Sequence, residues 1–238
     1  AQRPGPATGL PTRTEQADLQ FVLYAGHGEF PRALLAPGSP EECFELAARA
    51  VRLAEQGQGP VFILTDQFLA DSRFTIEDFE WEKLPPTSYL AHPSDMEHYQ
   101  RYELTASGIS PRLYPGQSEH LVGADSDEHD EEGHITESAE VRTAMMRKRM
   151  EKLEGMRRES KPPEVLPPDD GDLVLLGWGS TWGAMREAVD LLRSENIRAR
   201  MFHYCDVYPL AREGLADRIG ENARVIGVEG NYTGQFAA

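Results

Sequence analysis

The feature that most constrains this chain is the regular alternation near its end. Asp172–Gly177 is a short apolar run, Ser180–Ser194 carries helical periodicity, and Ile197–His203 is apolar again. Leu210–Ile219 then reads as a second helix and Ala223–Val228 as a third strand. Continuous apolar strands joined by amphipathic helices are buried on both faces, which predicts a βαβαβ unit with a parallel sheet. The same logic operates earlier. Ala33–Ala36 is a short strand candidate, and Ser39-Pro40-Glu41-Glu42 starts a helix with a cap, an N1 proline and an N3 glutamate. Cys43, Ala47, Ala50, Val51 and Ala54, with Phe44 and Leu46 beside them, form one broad apolar face, and Val61–Leu64 follows as a strand. Thr12, with Glu15 three residues on, is a capping box for a helix reaching Tyr24.

The two α/β segments are separated by a different kind of sequence. Residues 71–140 carry a net charge of −13 of the chain's −16, are punctuated by proline and show weak periodicity. Within them Asp125-Ser-Asp-Glu-His-Asp-Glu-Glu132 places six carboxylates in eight residues. A helix is expected from Thr136 to about Arg158, with Val141, Met145, Met146, Met150, Leu153 and Met156 near one face. The Pro162-Pro163 and Pro167-Pro168 pairs then read as a linker and a domain boundary. So acidic a chain is a poor partner for nucleic acid or an anionic membrane, and no apolar run approaches the roughly 20 residues of a membrane span. With Cys43 and Cys205 as its two cysteines it has no disulfide framework, all-cysteine zinc site or self-contained iron–sulfur cluster, and a cytoplasmic location is expected. The first residues read as a loop lacking its preceding strand, without an initiator methionine, and Thr233–Ala238 stops where a helix should begin. A piece of a longer protein is therefore expected.

Several motifs carry possible chemistry. Arg3, with Thr8 and Gly9 ahead of a helix N-terminus, offers a bidentate cation, a hydroxyl and a positive dipole end, which suits a substrate carboxylate. The alternative is a structural loop with a surface arginine. Asp66, Gln67 and Asp71 follow an apolar strand at its carboxyl end, where open α/β sheets place ligands. Gly177-Trp-Gly179-Ser-Thr-Trp-Gly183 lies between a strand and a helix, but its spacing departs from the dinucleotide fingerprint and a tight turn is the simpler reading. His129 and His134 amid carboxylates have the composition of a divalent-metal site, and equally of a solvated loop before a helix. A non-catalytic acidic interaction or metal-binding module is thus the competing function.

Taken together, ordered blocks along almost the whole chain resemble the alpha subunit of 2-oxoacid:ferredoxin oxidoreductases of the 2-oxoglutarate type. They are Gln2-Arg-Pro-Gly-Pro-Ala-Thr-Gly-Leu-Pro-Thr-Arg-Thr-Glu-Gln16, Gly26-His-Gly-Glu-Phe-Pro31, Leu35-Ala-Pro-Gly-Ser-Pro-Glu-Glu42, Leu64-Thr-Asp-Gln67, Gly108-Ile-Ser-Pro-Arg112, Asp125–Glu137 and Gly177-Trp-Gly-Ser-Thr181. The resemblance implies a thiamine-diphosphate enzyme that decarboxylates a 2-oxoacid oxidatively, transfers the acyl group to coenzyme A and passes electrons to ferredoxin. It implies that residues 1–80 are the C-terminal half of a pyrimidine-type domain, 81–169 an acidic inter-domain segment, and 170–238 an incomplete transketolase-C-terminal-like domain. It also implies a beta subunit that holds the diphosphate, Mg²⁺ and a [4Fe–4S] cluster and through which ferredoxin is served. The chain has neither the Gly-Asp-Gly…Asn motif nor the cysteines for those groups.

By the same resemblance Arg3 matches the arginine that binds the 2-oxoacid carboxylate, and Thr8 and Gly9 shape its loop. Pro4 and Ala7 stand where the family has a glycine and a serine, so a serine-specific contact is lost. The family's glutamate that activates the thiamine lies upstream of Ala1, so no catalytic residue is expected within this chain and the fragment alone is expected to be inactive.

Overall fold

The computed structural model describes all residues except 7–9, 11, 12, 80, 85, 86, 169 and 170. Its elements are α1 (Leu19–Leu23), β1 (Ala33–Leu35), α2 (Pro40–Gly57), β2 (Val61–Ile63), α3 (Gln67–Asp71) and α4 (Ala139–Glu159). They continue with β3 (Glu164–Leu166), β4 (Leu173–Trp178), α5 (Trp182–Ser194), β5 (Ala199–Tyr204), β6 (Asp206–Tyr208), α6 (Leu215–Ile219) and β7 (Arg224–Val228). Two sheets result, a three-stranded one in the order β2-β1-β6 and a four-stranded one in the order β3-β5-β4-β7. The mixed α/β class and the parallel βαβ cores match expectation: β1 pairs in parallel with β2, and β4 with both β5 and β7.

Local chemistry explains the helices that form as expected. Ser39 accepts the N–H of Glu42 in extended backbone, and the Glu42 carboxylate reaches back to the Gly38 N–H at 2.6 Å, so the start of α2 is capped from both directions. Ser138 caps α4 in the same way through the Val141 N–H. The buried stripe of α2 is nevertheless rotated from the expected face. Leu46, Ala50 and Leu53 pack under β1, while Ala47 and Val51 are exposed.

Other expectations are corrected. The helix expected from Thr12 to Tyr24 is confined to Leu19–Leu23, and Thr12 itself lies outside the described residues. Gln16 is committed elsewhere: its backbone N–H donates to the Gly230 carbonyl and its side-chain amide donates to the Trp178 carbonyl and accepts from Gly230 N–H. Those bonds hold the chain out of helical geometry. The helix expected over 210–219 begins only at Leu215, because Gly214 takes left-handed backbone at φ 64°. The stretch read as a linker between proline pairs contains β3, an antiparallel edge strand in register with Met201–His203. Proline is tolerated beside it because an edge strand leaves one row of N–H groups unpaired. β6 also had no sequence signal; it runs antiparallel to β1 in the first sheet.

These last two strands matter for the architecture. The chain passes from β5 in one sheet to β6 in the other through the single residue Cys205, whose carbonyl accepts the Ala36 N–H at 2.7 Å. One apolar core then serves both sheets: Leu34, Ala36 and Leu64 pack with Val174, Trp178, Phe202, Tyr204 and Val207. The acidic segment lies over this unit with little regular structure. Its anchors are the Phe44–Phe79 ring stack at 4.3 Å, with Trp81 edge-on, and the packing of Gly108 against α4, where a Cβ would strike the Lys148 carbonyl. Among the described residues no helix is long and apolar enough to cross a membrane.

Candidate functional site

Three motifs that are far apart in sequence meet where the two sheets abut. Gln2 bridges to Asp66 just beyond β2: its N–H donates to the Thr65 carbonyl at 2.6 Å and its carbonyl accepts the Gln67 N–H at 3.0 Å. The Gln2 side chain in turn accepts the Asp18 N–H. Asp66 is buried, and its two carboxylate oxygens are divided between the start of α3, where one accepts the Leu69 N–H, and the Ser180 hydroxyl, which donates to the other. Ser180 belongs to the turn of the Gly177–Gly183 motif. The N-terminal loop, the end of β2 and the end of β4 are therefore tied together at the carboxyl ends of parallel strands, where open α/β sheets place ligands.

Arg3 follows the Gln2 clamp directly, so its backbone is fixed while its side chain is exposed and makes no ion pair or hydrogen bond with the described residues. An exposed guanidinium with no carboxylate partner among the described residues can bind an external anion through two parallel N–H···O bonds. The positive helix end expected beside it lies further off, since α1 starts only at Leu19. Thr8 and Gly9, the other expected substrate contacts, lie outside the described residues. Gln67 and Asp71 bond to each other on the exposed side of α3.

The glycine motif has a packing role. A Cβ on Gly177 would meet the Met185 sulfur, the Thr181 hydroxyl and the Val228 carbonyl at 2.7–2.8 Å, whereas Gly183 has open space around it. Gly179 has φ 56°, and its carbonyl accepts from His203 Nε2 at 2.8 Å. The turn is shaped by the interior of the sheet.

Part of the acidic block is engaged by the fold. Glu128 takes charge-assisted bonds from Arg149 and Arg142. Burial alone would raise its pKa, but the two guanidinium partners outweigh it and hold the carboxyl down at about 2. Asp130 accepts the N–H groups of Glu132 and His134, chiefly the latter, which lowers its pKa as well. His129 lies over the Tyr102 ring at 3.8 Å. Among the described residues no three metal-ligating groups converge in this block, so the expected alternative of a metal module at 125–137 has no geometric support.

Sequence reasoning missed Gln16, the buried amide that joins the N-terminal segment to both Trp178 and Gly230, and the group Glu42, His203 and Cys205, whose ligand atoms lie within 4.8 Å of one another. No spacing rule could have found either, because both are assembled from opposite ends of the chain.

Comparison with known proteins decides the family. The profile of the family described as "Pyruvate flavodoxin/ferredoxin oxidoreductase, thiamine diP-bdg" matches residues 1–148. The chain belongs to this family. Within it, the chain is 39% identical to "2-oxoacid:ferredoxin oxidoreductase 1, subunit alpha" of Sulfurisphaera tokodaii, over 98% of this chain and 37% of that protein. It is 34% identical to "2-oxoglutarate oxidoreductase subunit KorA" of Mycobacterium tuberculosis, over 99% of this chain and 36% of that one. Among solved structures, the "2-oxoglutarate:ferredoxin oxidoreductase from Magnetococcus marinus with 2-oxoglutarate, coenzyme A and succinyl-CoA bound" superposes with a TM-score of 0.86 and 33% identity. That match covers 100% of this chain and 41% of the other. The chain thus spans 37% of the length of the alpha subunit from Sulfurisphaera tokodaii.

Proposed function

We propose that this chain is part of the alpha subunit of a thiamine-dependent 2-oxoacid:ferredoxin oxidoreductase, with 2-oxoglutarate as the 2-oxoacid. The reaction is oxidative decarboxylation with acyl transfer to coenzyme A and electron transfer to ferredoxin. The observation that carries the proposal is the coincidence of family membership with the Gln2–Asp66 clamp beside Arg3, a cation with no partner among the described residues. In this reading residues 1–80 complete a pyrimidine-type domain, 81–169 cover it, and 170–238 belong to a transketolase-C-terminal-like domain. The enzyme works in the cytoplasm.

The residues present do not form a diphosphate–metal site. The metal-ligating group found among the described residues mixes carboxylate, imidazole and thiol and lacks the all-oxygen character that Mg²⁺ requires. Two free cysteines cannot ligate a [4Fe–4S] cluster. The beta subunit is therefore assigned the thiamine diphosphate, its Mg²⁺, the cluster and the ferredoxin route. The contribution of this chain is positioning: Arg3 binds the 2-oxoacid carboxylate, and Asp66 with Ser180 keeps the Arg3 loop and the β4 turn at a fixed separation.

Co-expression of the full-length alpha subunit with its beta subunit should give 2-oxoglutarate- and coenzyme A-dependent reduction of ferredoxin. Absence of turnover with every 2-oxoacid tried would reject the reading. Arg3→Ala removes charge-assisted bonds worth about 1.5–3 kcal/mol, so kcat/KM for 2-oxoglutarate should fall roughly 10- to 100-fold, mainly through KM. Unchanged kinetics would remove Arg3 from the site.

A further inference from the structure

At the joint between the two sheets, three lone-pair donors face one another. Glu42 sits in the first turn of α2, His203 near the end of β5, and Cys205 in the link to β6. Cys205 Sγ is 3.1 Å from Glu42 Oε1 and 3.8 Å from His203 Nδ1. We infer that Glu42, His203 and Cys205 form a zinc site, distinct from the Arg3 loop, that fastens the first turn of α2 to the β5–β6 joint.

The arrangement of second partners favours a metal over a chance cluster. His203 Nε2 lies 2.8 Å from the Gly179 carbonyl, which can only accept, so the ring proton is on Nε2 and Nδ1 presents its lone pair to the group. The second oxygen of Glu42, Oε2, is held by the Gly38 N–H at 2.6 Å, leaving Oε1 for the group. Outer hydrogen bonds of this kind orient a metal's imidazole and carboxylate ligands. Packing enforces the same geometry: a Cβ on Gly38 would collide with the Gly179 carbonyl and His203 Cε1, so the cap of α2 is seated against the ring.

The distances fit the ion. With Zn–S near 2.3 Å and Zn–N or Zn–O near 2.0–2.1 Å, tetrahedral ligands lie about 3.5 Å apart, between the two separations found here. The donor set selects the metal class, since thiolate with imidazole suits zinc and excludes Mg²⁺ and Ca²⁺. His203 is buried, whereas Glu42 and Cys205 are half-buried, so the fourth position opens towards solvent and takes water. Without a metal, burial and the neighbouring Glu42 charge push the Cys205 thiol well above its ordinary pKa. A bound dication reverses that balance by deprotonating its thiol ligand and neutralising the carboxylate. Glu42 has no ion pair among the described residues, so no protein cation competes for this role.

The test uses the full-length protein in its complete assembly, purified without chelator after growth with zinc, and zinc K-edge X-ray absorption, which does not register iron. About one zinc per chain is expected, with one sulfur neighbour at about 2.3 Å and light neighbours at about 2.0–2.1 Å. Cys205→Ser should lose the sulfur shell and most of the zinc, Glu42→Gln should lower zinc occupancy, and Cys43→Ser should retain both shell and stoichiometry. Zinc absent from the wild type, zinc without a sulfur neighbour, or a sulfur shell that survives in Cys205→Ser or disappears in Cys43→Ser would each overturn the site. The wild-type spectrum is decisive even if a variant fails to fold.

Discussion

The strands at 173–204 and the acidic cover at 87–138 are held by different physics, although they belong to one structure. In the first region β4 and β5 pair in register over six residues each, and every residue of β5 is buried. Apolar area removed from water supplies most of the stability, and the buried polar side chains Arg200 and His203 donate to backbone carbonyls. In the second region the backbone is satisfied piecemeal by side chains. Glu131 accepts the Leu104 N–H, Ser110 donates to the Glu103 carbonyl, Gln58 donates to the Ser110 carbonyl and Lys148 to that of Tyr102. A region ordered by area responds to changes of volume; a region ordered by individual charged partners responds to pH.

The largest effect is expected from volume. Phe202 is wholly buried in the core shared by both sheets, so Phe202→Ala should cost about 3–5 kcal/mol in urea unfolding. A loss below about 1 kcal/mol would mean that the two sheets do not share a close-packed interior. Asp206→Ala should come next, at about 3 kcal/mol or more. The Arg49–Asp206 pair is 2.5 Å apart with side chains 7% and 4% exposed, and removal of the carboxylate leaves a buried guanidinium unpaired and the Lys161 N–H without its acceptor. Replacing both partners by apolar residues of similar size should recover much of that loss, which calorimetric melting of the double variant would check.

The contrast sharpens at Glu128, where the expected change is local. Glu128→Gln should cost about 1 kcal/mol, because Arg142 is half-exposed and solvent screens the pair. Hydrogen exchange should accelerate near Thr136, whose N–H bonds the Glu128 carbonyl, and leave β4 and β5 unchanged. The pH dependence has a definite sign. The folded pKa of about 2 lies below the unfolded value near 4.3, so this contribution is complete above about pH 4.5 and is lost as pH falls towards 2. The Gln variant should lack that acid loss; an identical acid profile in both proteins would show that the two arginines do not hold the segment.

This division also accounts for what could be read from the sequence. The β4–α5–β5 run was legible because its core residues are local and periodic, and Ser39 announced the start of α2, whereas α4 begins at Ala139 behind a Ser138 cap and not at the expected Thr136. β3 and β6 were not, since each has three residues, no alternation, and a partner that only the completed fold supplies. At the site, Arg3, Asp66 and the Gly177–Gly183 turn were each visible singly, but their meeting through Gln2 and Ser180 depends on the packing of the two sheets. Glu42 was legible as a helix-start residue, and its second role facing His203 and Cys205 arises because α2 begins where β5 ends. The acidic block misled composition-based reading because two of its carboxylates, Glu128 and Asp130, are acceptors for groups of the same chain.

The smallest predicted effect lies where the acidic cover meets α4, whose Lys148 and Lys152 line a cavity of about 260 Å³ with Tyr102 and His129. Burial, reinforced by neighbouring cations including Arg101 and Arg149, pushes both lysines down to about 8. Their folded pKa values thus lie below the unfolded value near 10.4. Below about pH 8 both states are protonated and the cost of burying the charges is fully felt. Between about pH 8 and 10.4 the folded state has lost protons that the unfolded state still binds, so stability rises with pH. Lys148→Met should flatten this rise by up to one proton's worth of slope, while leaving the Tyr102 carbonyl without its donor, so the net change at neutral pH should be under about 1 kcal/mol. The slope is the sensitive readout: urea midpoints between pH 7.5 and 10 that run parallel in wild type and variant would show that the acidic cover does not bury this charge against α4.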